Sequence, residues 1–72
     1  MMLHDSSNVK AYKGAGICYL SMNDNNKAIV YFEKALQLEP DNKNTLHNLS
    51  VLYLNIGDST KANFYKSKEA SY

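Results

Sequence analysis

Shifted by 34 residues against itself, the chain meets its own pattern. Tyr19 falls on Tyr53, Leu20 on Leu54, Asp24 on Asp58 and Lys27 on Lys61. Ala28 then falls on Ala62, Tyr31 on Tyr65 and Lys34 on Lys68, while Ile17 exchanges with Val51 and Met22 with Ile56. Self-similarity at such a period marks an array of small like units that stack on one another.

The stretch Lys27–Pro40, KAIVYFEKALQLEP, shows what half of one unit is. Ala28, Ile29, Tyr31, Phe32, Ala35, Leu36 and Leu38 recur near the 3.6 period, which predicts an amphipathic helix over 25–38. Pro40 ends it, because the residue ahead of a proline disfavours the α region. Upstream, Val9, Tyr12, Ile17, Tyr19, Leu20 and Met22 predict a helix over 9–22, with Ser6-Ser7-Asn8 as its N-cap cluster. Gly14 and Gly16 each cost that helix about 1 kcal/mol against alanine, so a neighbour packed hard against them is expected. Asn23-Asp24-Asn25-Asn26 supplies a turn and a new cap. Leu46, Leu49, Leu52, Tyr53 and Ile56 predict a helix over 43–56, capped by Asp41-Asn42 and closed by Gly57 in the left-handed conformation. Asp58 caps a fourth helix over 59–71, with Ala62, Phe64, Tyr65 and Ala70. Loops this short make successive helices antiparallel neighbours. The expected fold is all-α: an arm at 1–8 and two helix–turn–helix units, 9–42 and 43–72.

These residues resemble the tetratricopeptide repeat family. Its pattern asks for an aromatic, Leu-Gly and Tyr on the first helix, then Ala, an aromatic, Ala and Pro on the second. Those places hold Tyr12, Ala15-Gly16, Tyr19, Ala28, Phe32, Ala35 and Pro40. The second unit keeps Leu46, Leu49-Ser50, Tyr53 and Ala62, then departs, with Lys66 at the aromatic place and Glu69 at the alanine place. The resemblance implies a short right-handed α-solenoid. In it Gly16 and Ala28 let the helices of one unit touch beside Tyr19, and Phe32 and Ala35 meet the next unit near Leu49 and Tyr53. Lys66 and Glu69 make the face that would receive a third unit polar, as on the terminal helix of a repeat stack. Two units are fewer than a stable stack usually needs. Three expectations stay open: a piece of a longer protein, a homo-oligomer with or without a swapped helix, or a fold-back of Phe64, Tyr65 and Tyr72 over the core.

The same resemblance implies that first-helix residues line a concave groove. In the first unit these are Lys10, Lys13, Ile17, Leu20 and Ser21; in the second, Asn44, His47, Asn48, Val51, Leu54 and Asn55. Lysine, amide and imidazole donors beside an aliphatic strip suit a peptide with acidic and apolar side chains. The expected function is therefore a non-catalytic protein-interaction module, a scaffold or adaptor that holds a segment of a partner. Competing readings are plain solvated surface, a self-assembling unit, or an auxiliary module of a larger catalytic protein. Some family members grip a C-terminal carboxylate with a lysine–asparagine clamp. Lys13 and Asn48 stand at two of its positions, but Ile17 replaces an asparagine and the third unit's basic residues have no counterpart, so the clamp is not expected.

Composition removes most other classes. Seventy-two residues make one domain that buries only about 60% of its unfolded surface. The net charge is +1 and no basic tract points to nucleic acid or an anionic membrane. Every basic residue is lysine, so the bidentate arginine reader of phosphate and bases is missing. Of the tyrosines available for base stacking, Tyr12, Tyr19, Tyr31 and Tyr53 are claimed by the packing stripes. Cys18 is the single cysteine; it allows no internal disulfide or cysteine-based metal site, fits a reducing compartment, and is expected to act as a small core residue. His4 and His47 sit on unrelated elements without metal-ligand spacing. Gly14-Ala15-Gly16 lacks the strand and the lysine of a phosphate loop, and no nucleophile has a base at readable spacing. Neither a cofactor nor a metal is expected. Met1–Asp5 has no signal-peptide character, and no apolar run approaches the roughly 20 residues of a membrane helix. A soluble, cytoplasmic protein without a membrane partner is the expectation.

Overall fold

The computed structural model describes residues 6–71, and there the chain is four α-helices. They are α1 (Ser6–Ser21), α2 (Asn25–Leu38), α3 (Lys43–Asn55) and α4 (Ser59–Ser71). No strand occurs among the described residues. The expected bounds of α2 and α4 are those observed, α3 and α1 each stop one residue earlier, and α1 begins three residues earlier. The last difference corrects the capping assignment: Ser6, Ser7 and Asn8 lie inside the first turn of α1 and not ahead of it. Val9 gives the reason, being only 3% exposed. A helix starting there would leave the N–H of this buried residue among the unpaired donors of its first turn, whereas a start at Ser6 places that turn ahead of it. Most of the arm assigned to 1–8, His4 included, and Tyr72 of the fold-back lie outside the described residues.

The two helical hairpins close by the same device. Asp24 accepts from the Lys27 N–H at 3.2 Å and Asp58 from the Lys61 N–H at 3.1 Å, each capping the second helix of its unit. Before each cap the chain makes a Schellman turn. Asp24 N–H donates to the Tyr19 carbonyl at 2.9 Å and Asn23 N–H to Leu20 at 3.0 Å; Asp58 donates to Tyr53 at 2.8 Å and Gly57 to Leu54 at 3.0 Å. The turn needs one residue at positive φ. Gly57 takes it at 86° and Asn23, its counterpart, at 62°, a conformation asparagine tolerates better than most side chains. The link between units is of another kind. Glu39, ahead of Pro40, sits at φ −134° and ψ 80°, outside the α region, and Asn42 caps α3 by accepting from the Thr45 N–H at 3.0 Å.

α1 packs on α2, α3 on α4, and α2 also on α3, so the helices form a slab of 39 × 29 × 13 Å. Being covered from two sides is why α2 buries Ala28, Ile29, Phe32 and Ala35. Ala28, Ile29 and Phe32 join Leu49, Leu52, Tyr53 and Ala62 in one core cluster, with Tyr19, Leu20, Leu36 and Tyr65 against its edge. Gly16 is buried, and the side chain it makes room for is Phe32: a Cβ there would stand 2.8 Å from the Phe32 ring. Two expectations are corrected. Cys18 is exposed, because among the described residues no helix lies on its side of α1 as α2 lies on α3. Phe64 is 54% exposed and does not close over the core, although Tyr65 does stack on Tyr53.

Candidate protein-interaction faces

The eleven residues assigned to a groove sit on α1 and α3 as placed from sequence, and their surroundings differ. Lys10, Ile17, Ser21, Asn44, His47, Val51, Leu54 and Asn55 are exposed. Ile17 and Val51 occupy the same register position in their units, and with Leu54 they are large apolar side chains left in water. Leu20 instead leans on the core cluster, and Asn48 is half-buried. Lys13 is half-buried, its ammonium 3.8 Å from Glu39 in the loop after α2. Asn55 donates to Asn25 at 3.5 Å across the two units. His47 Nδ1 lies 3.4 Å from a Glu69 carboxylate oxygen on α4.

That last contact belongs to an open cleft of about 420 Å³ lined by Lys43, His47, Lys66, Glu69 and Ala70. The same register positions in the first unit are Val9, Lys13, Phe32, Ala35 and Leu36. There Val9, Phe32 and Ala35 are buried. The cleft is therefore the unfilled place of the seam that the first unit closes. Among the described residues no cluster of three metal-capable side chains exists.

A second arrangement, which sequence reasoning missed, lies between the units. Glu33 on α2 accepts hydrogen bonds from the hydroxyls of Tyr53 on α3 and Tyr65 on α4, the latter at 3.3 Å. The two rings stack with centroids 5.6 Å apart and planes 7° from parallel, and the Lys61 ammonium sits 5.4 Å from the Tyr53 centroid. Burial and the neighbouring Glu33 carboxylate push both phenol pKa values upward, since each disfavours a phenolate. One carboxylate thus ties both helices of the second unit to the first. The first unit builds the same stack: Tyr19 and Tyr31 lie 5.5 Å apart at 9°, with Lys27 5.5 Å from the Tyr19 centroid. In sequence the only trace is the pair of tyrosines that recurs at the repeat period, Tyr19 and Tyr31 with Tyr53 and Tyr65; it does not point to Glu33.

Two stacked helical hairpins, joined through small residues and aromatic rings, with polar and aliphatic side chains left in water on the first helices, make up a repeat module of the kind that mediates protein–protein interaction. The tetratricopeptide repeat profile matches residues 9–42, and a second tetratricopeptide repeat profile matches residues 31–62. The chain belongs to the tetratricopeptide repeat family. It is 37% identical over 62 residues to a probable UDP-N-acetylglucosamine–peptide N-acetylglucosaminyltransferase SPINDLY of Eustoma exaltatum subsp. russellianum. The protein of the same description in Arabidopsis thaliana is 36% identical over 62 residues. Each match covers 86% of this chain and only 7% of the relative. No solved structure matches the chain. No helix among the described residues is long and apolar enough to cross a membrane.

Proposed function

We propose that this module holds a peptide segment of a partner protein against the exposed side of α1 and α3 and does no chemistry itself. The observation that supports this most is the recurrence of exposed aliphatic side chains at one register position, Ile17 at 52% and Val51 at 36% exposure. Exposed apolar residues that repeat with the units form a strip, and a strip flanked by donors is what an extended or amphipathic peptide can use. Lys10, Lys13, Asn44 and His47 supply the donors, so the favoured peptide alternates acidic and apolar residues. Lys13 is drawn toward Glu39, and a peptide carboxylate would compete for it.

The test is selection of ligands from a displayed peptide library on the intact chain, followed by Lys10→Glu together with Lys13→Glu. Acidic–apolar ligands that the charge swap releases, with the helical signal unchanged, are the expected outcome. Ligands that bind the swapped chain equally well would remove the groove assignment. A second reading, an auxiliary interaction domain within a larger protein, is favoured by the small fraction of the relatives' length that the chain spans.

A further inference from the structure

The internal repeat shows what a covered face of this molecule looks like, and among the described residues nothing covers the corresponding face of the first unit. On the second unit α2 lies against α3, with Leu49, Leu52 and Tyr53 buried in one cluster with Ile29 and Phe32. The same positions on α1 are Ala15, Cys18 and Tyr19. Cys18 is exposed and the other two are half-buried. Tyr19 and Tyr31 are nonetheless stacked as closely as Tyr53 and Tyr65, under a lysine held at the same place. Only the carboxylate is missing: among the described residues neither hydroxyl of the first pair has a hydrogen-bond partner, whereas both hydroxyls of the second pair serve Glu33.

We propose that the outward face of the α1–α2 hairpin docks a partner helix bearing a carboxylate, which the Tyr19 and Tyr31 hydroxyls take together. The chemistry of that helix is read from α2. It places an acidic residue where Glu33 stands, with aliphatic side chains four residues before and three after, as Ile29 and Leu36 are. The small Ala15 and Cys18 leave room for those side chains. The Lys27 ammonium adds a positive charge on the same side. Because rings and lysine are already in place, little ordering is needed on binding. A second copy of this chain is a poor occupant. Its own α2 is already covered, and its outer helix α4 carries Ser67 where the carboxylate is needed, with Lys66 beside it.

The probe is a peptide of residues 25–38, acetylated, amidated and held helical by a staple across Val30 and Lys34, which are exposed in the protein. It is titrated into the full chain under reducing conditions. Cys18, the single cysteine, reports occupancy of this face through its alkylation rate by a maleimide. Saturable binding with protection of Cys18 is expected. Glu33→Gln in the peptide, and Tyr19→Phe with Tyr31→Phe in the chain, should each weaken binding about tenfold, as for loss of a hydrogen bond to a charged group. Combined, they should weaken it little further, because both remove the same contact. The phenylalanine rings keep the stack, and an unchanged helical signal confirms that the variant folds. Binding indifferent to both changes, or no protection of Cys18 by saturating peptide, would overturn the proposal. So would Cys18 protection that rises with chain concentration alone, which would give the face to a second copy.

Discussion

In the first unit Gly16 lies under the ring of Phe32, and 34 residues later the same two places hold Ser50 and Lys66. The two substitutions explain each other. Phe32 is fully buried and comes so close that a Cβ on residue 16 would meet it at 2.8 Å. Lys66 is exposed, so no aromatic ring takes the space at position 50, and Ser50, although buried, keeps both a Cβ and a hydroxyl that donates to the His47 carbonyl at 2.8 Å. The next pair repeats the lesson. Ala35 is buried, while Glu69 in its place reaches out to His47. One backbone plan thus serves two purposes, and whether a position is core or surface depends on whether another hairpin covers it. A polar end helix and an aromatic inner one are two finishes of the same part.

The sharpest way to break this comparison is truncation at the shared position. Phe32→Ala should cost about 3–5 kcal/mol, as for aromatic rings lost from a core, enough to leave so small a domain largely unfolded. Lys66→Ala should stay within about 0.5 kcal/mol, as surface changes do. Comparable losses of thermal midpoint in the two variants would mean that the units are not differently finished.

The seam is tested by Glu33→Gln. Near neutral pH the loss of a charge-assisted acceptor should cost about 1–2 kcal/mol. The alkaline limb is more informative. Both tyrosines hold their protons more tightly folded than unfolded. Their contribution is intact below the unfolded phenol value of about 10 and is lost as pH rises from there toward the folded values. Removing the carboxylate leaves burial as the main cause of the shift. The variant should therefore lose less stability than the parent between about pH 10 and 12 while starting from a lower level. A parallel decline in both chains would separate the tyrosines from Glu33.

The two helical glycines of α1 should respond with opposite sign. Gly16→Ala gains about 1 kcal/mol of helix propensity but overpacks Phe32 at a cost of about 1–3 kcal/mol, a net loss near 1 kcal/mol. That corresponds to a fall of about 4–8 °C in Tm for a domain this size. Gly14 has open space around its missing side chain, so Gly14→Ala should raise Tm by a similar amount. Two shifts of the same sign would deny the close approach at Gly16.

Much of this was legible in residues. Asp24, Asn42 and Asp58 cap where their short acceptors suggest, Gly57 turns left-handed, and Pro40 stops a helix, because each acts through its own backbone. Cys18 was misread because periodicity tells which side of a helix is apolar but not whether anything lies on it. The N-terminus of α1 was misread for a related reason: three capping residues in a row leave the start open, and the burial of Val9 fixes it. The Glu33 latch was invisible because a lone glutamate on an amphipathic helix reads as solvated until two tyrosines from another unit arrive above it. What acts locally could be read, and so could the close approach at Gly16 and the meeting of Phe32 with Leu49 and Tyr53; an absent neighbour at Cys18 and a polar latch between units could not.

The smallest expected effect concerns the contact that replaces the seam at the open end. His47 and Glu69 are 3.4 Å apart with side chains 60% and 31% exposed; the contact is an ion pair only while the imidazole carries its second proton, and one so open to water seldom gives more than about 0.5 kcal/mol. In a double-mutant cycle with His47→Gln and Glu69→Gln, the coupling should be of that size and should vanish at about 1 M salt, where screening acts within about 3 Å. A salt-resistant coupling above about 1 kcal/mol would make the end cleft a structured continuation of the seam, and the two finishes would then differ in chemistry alone.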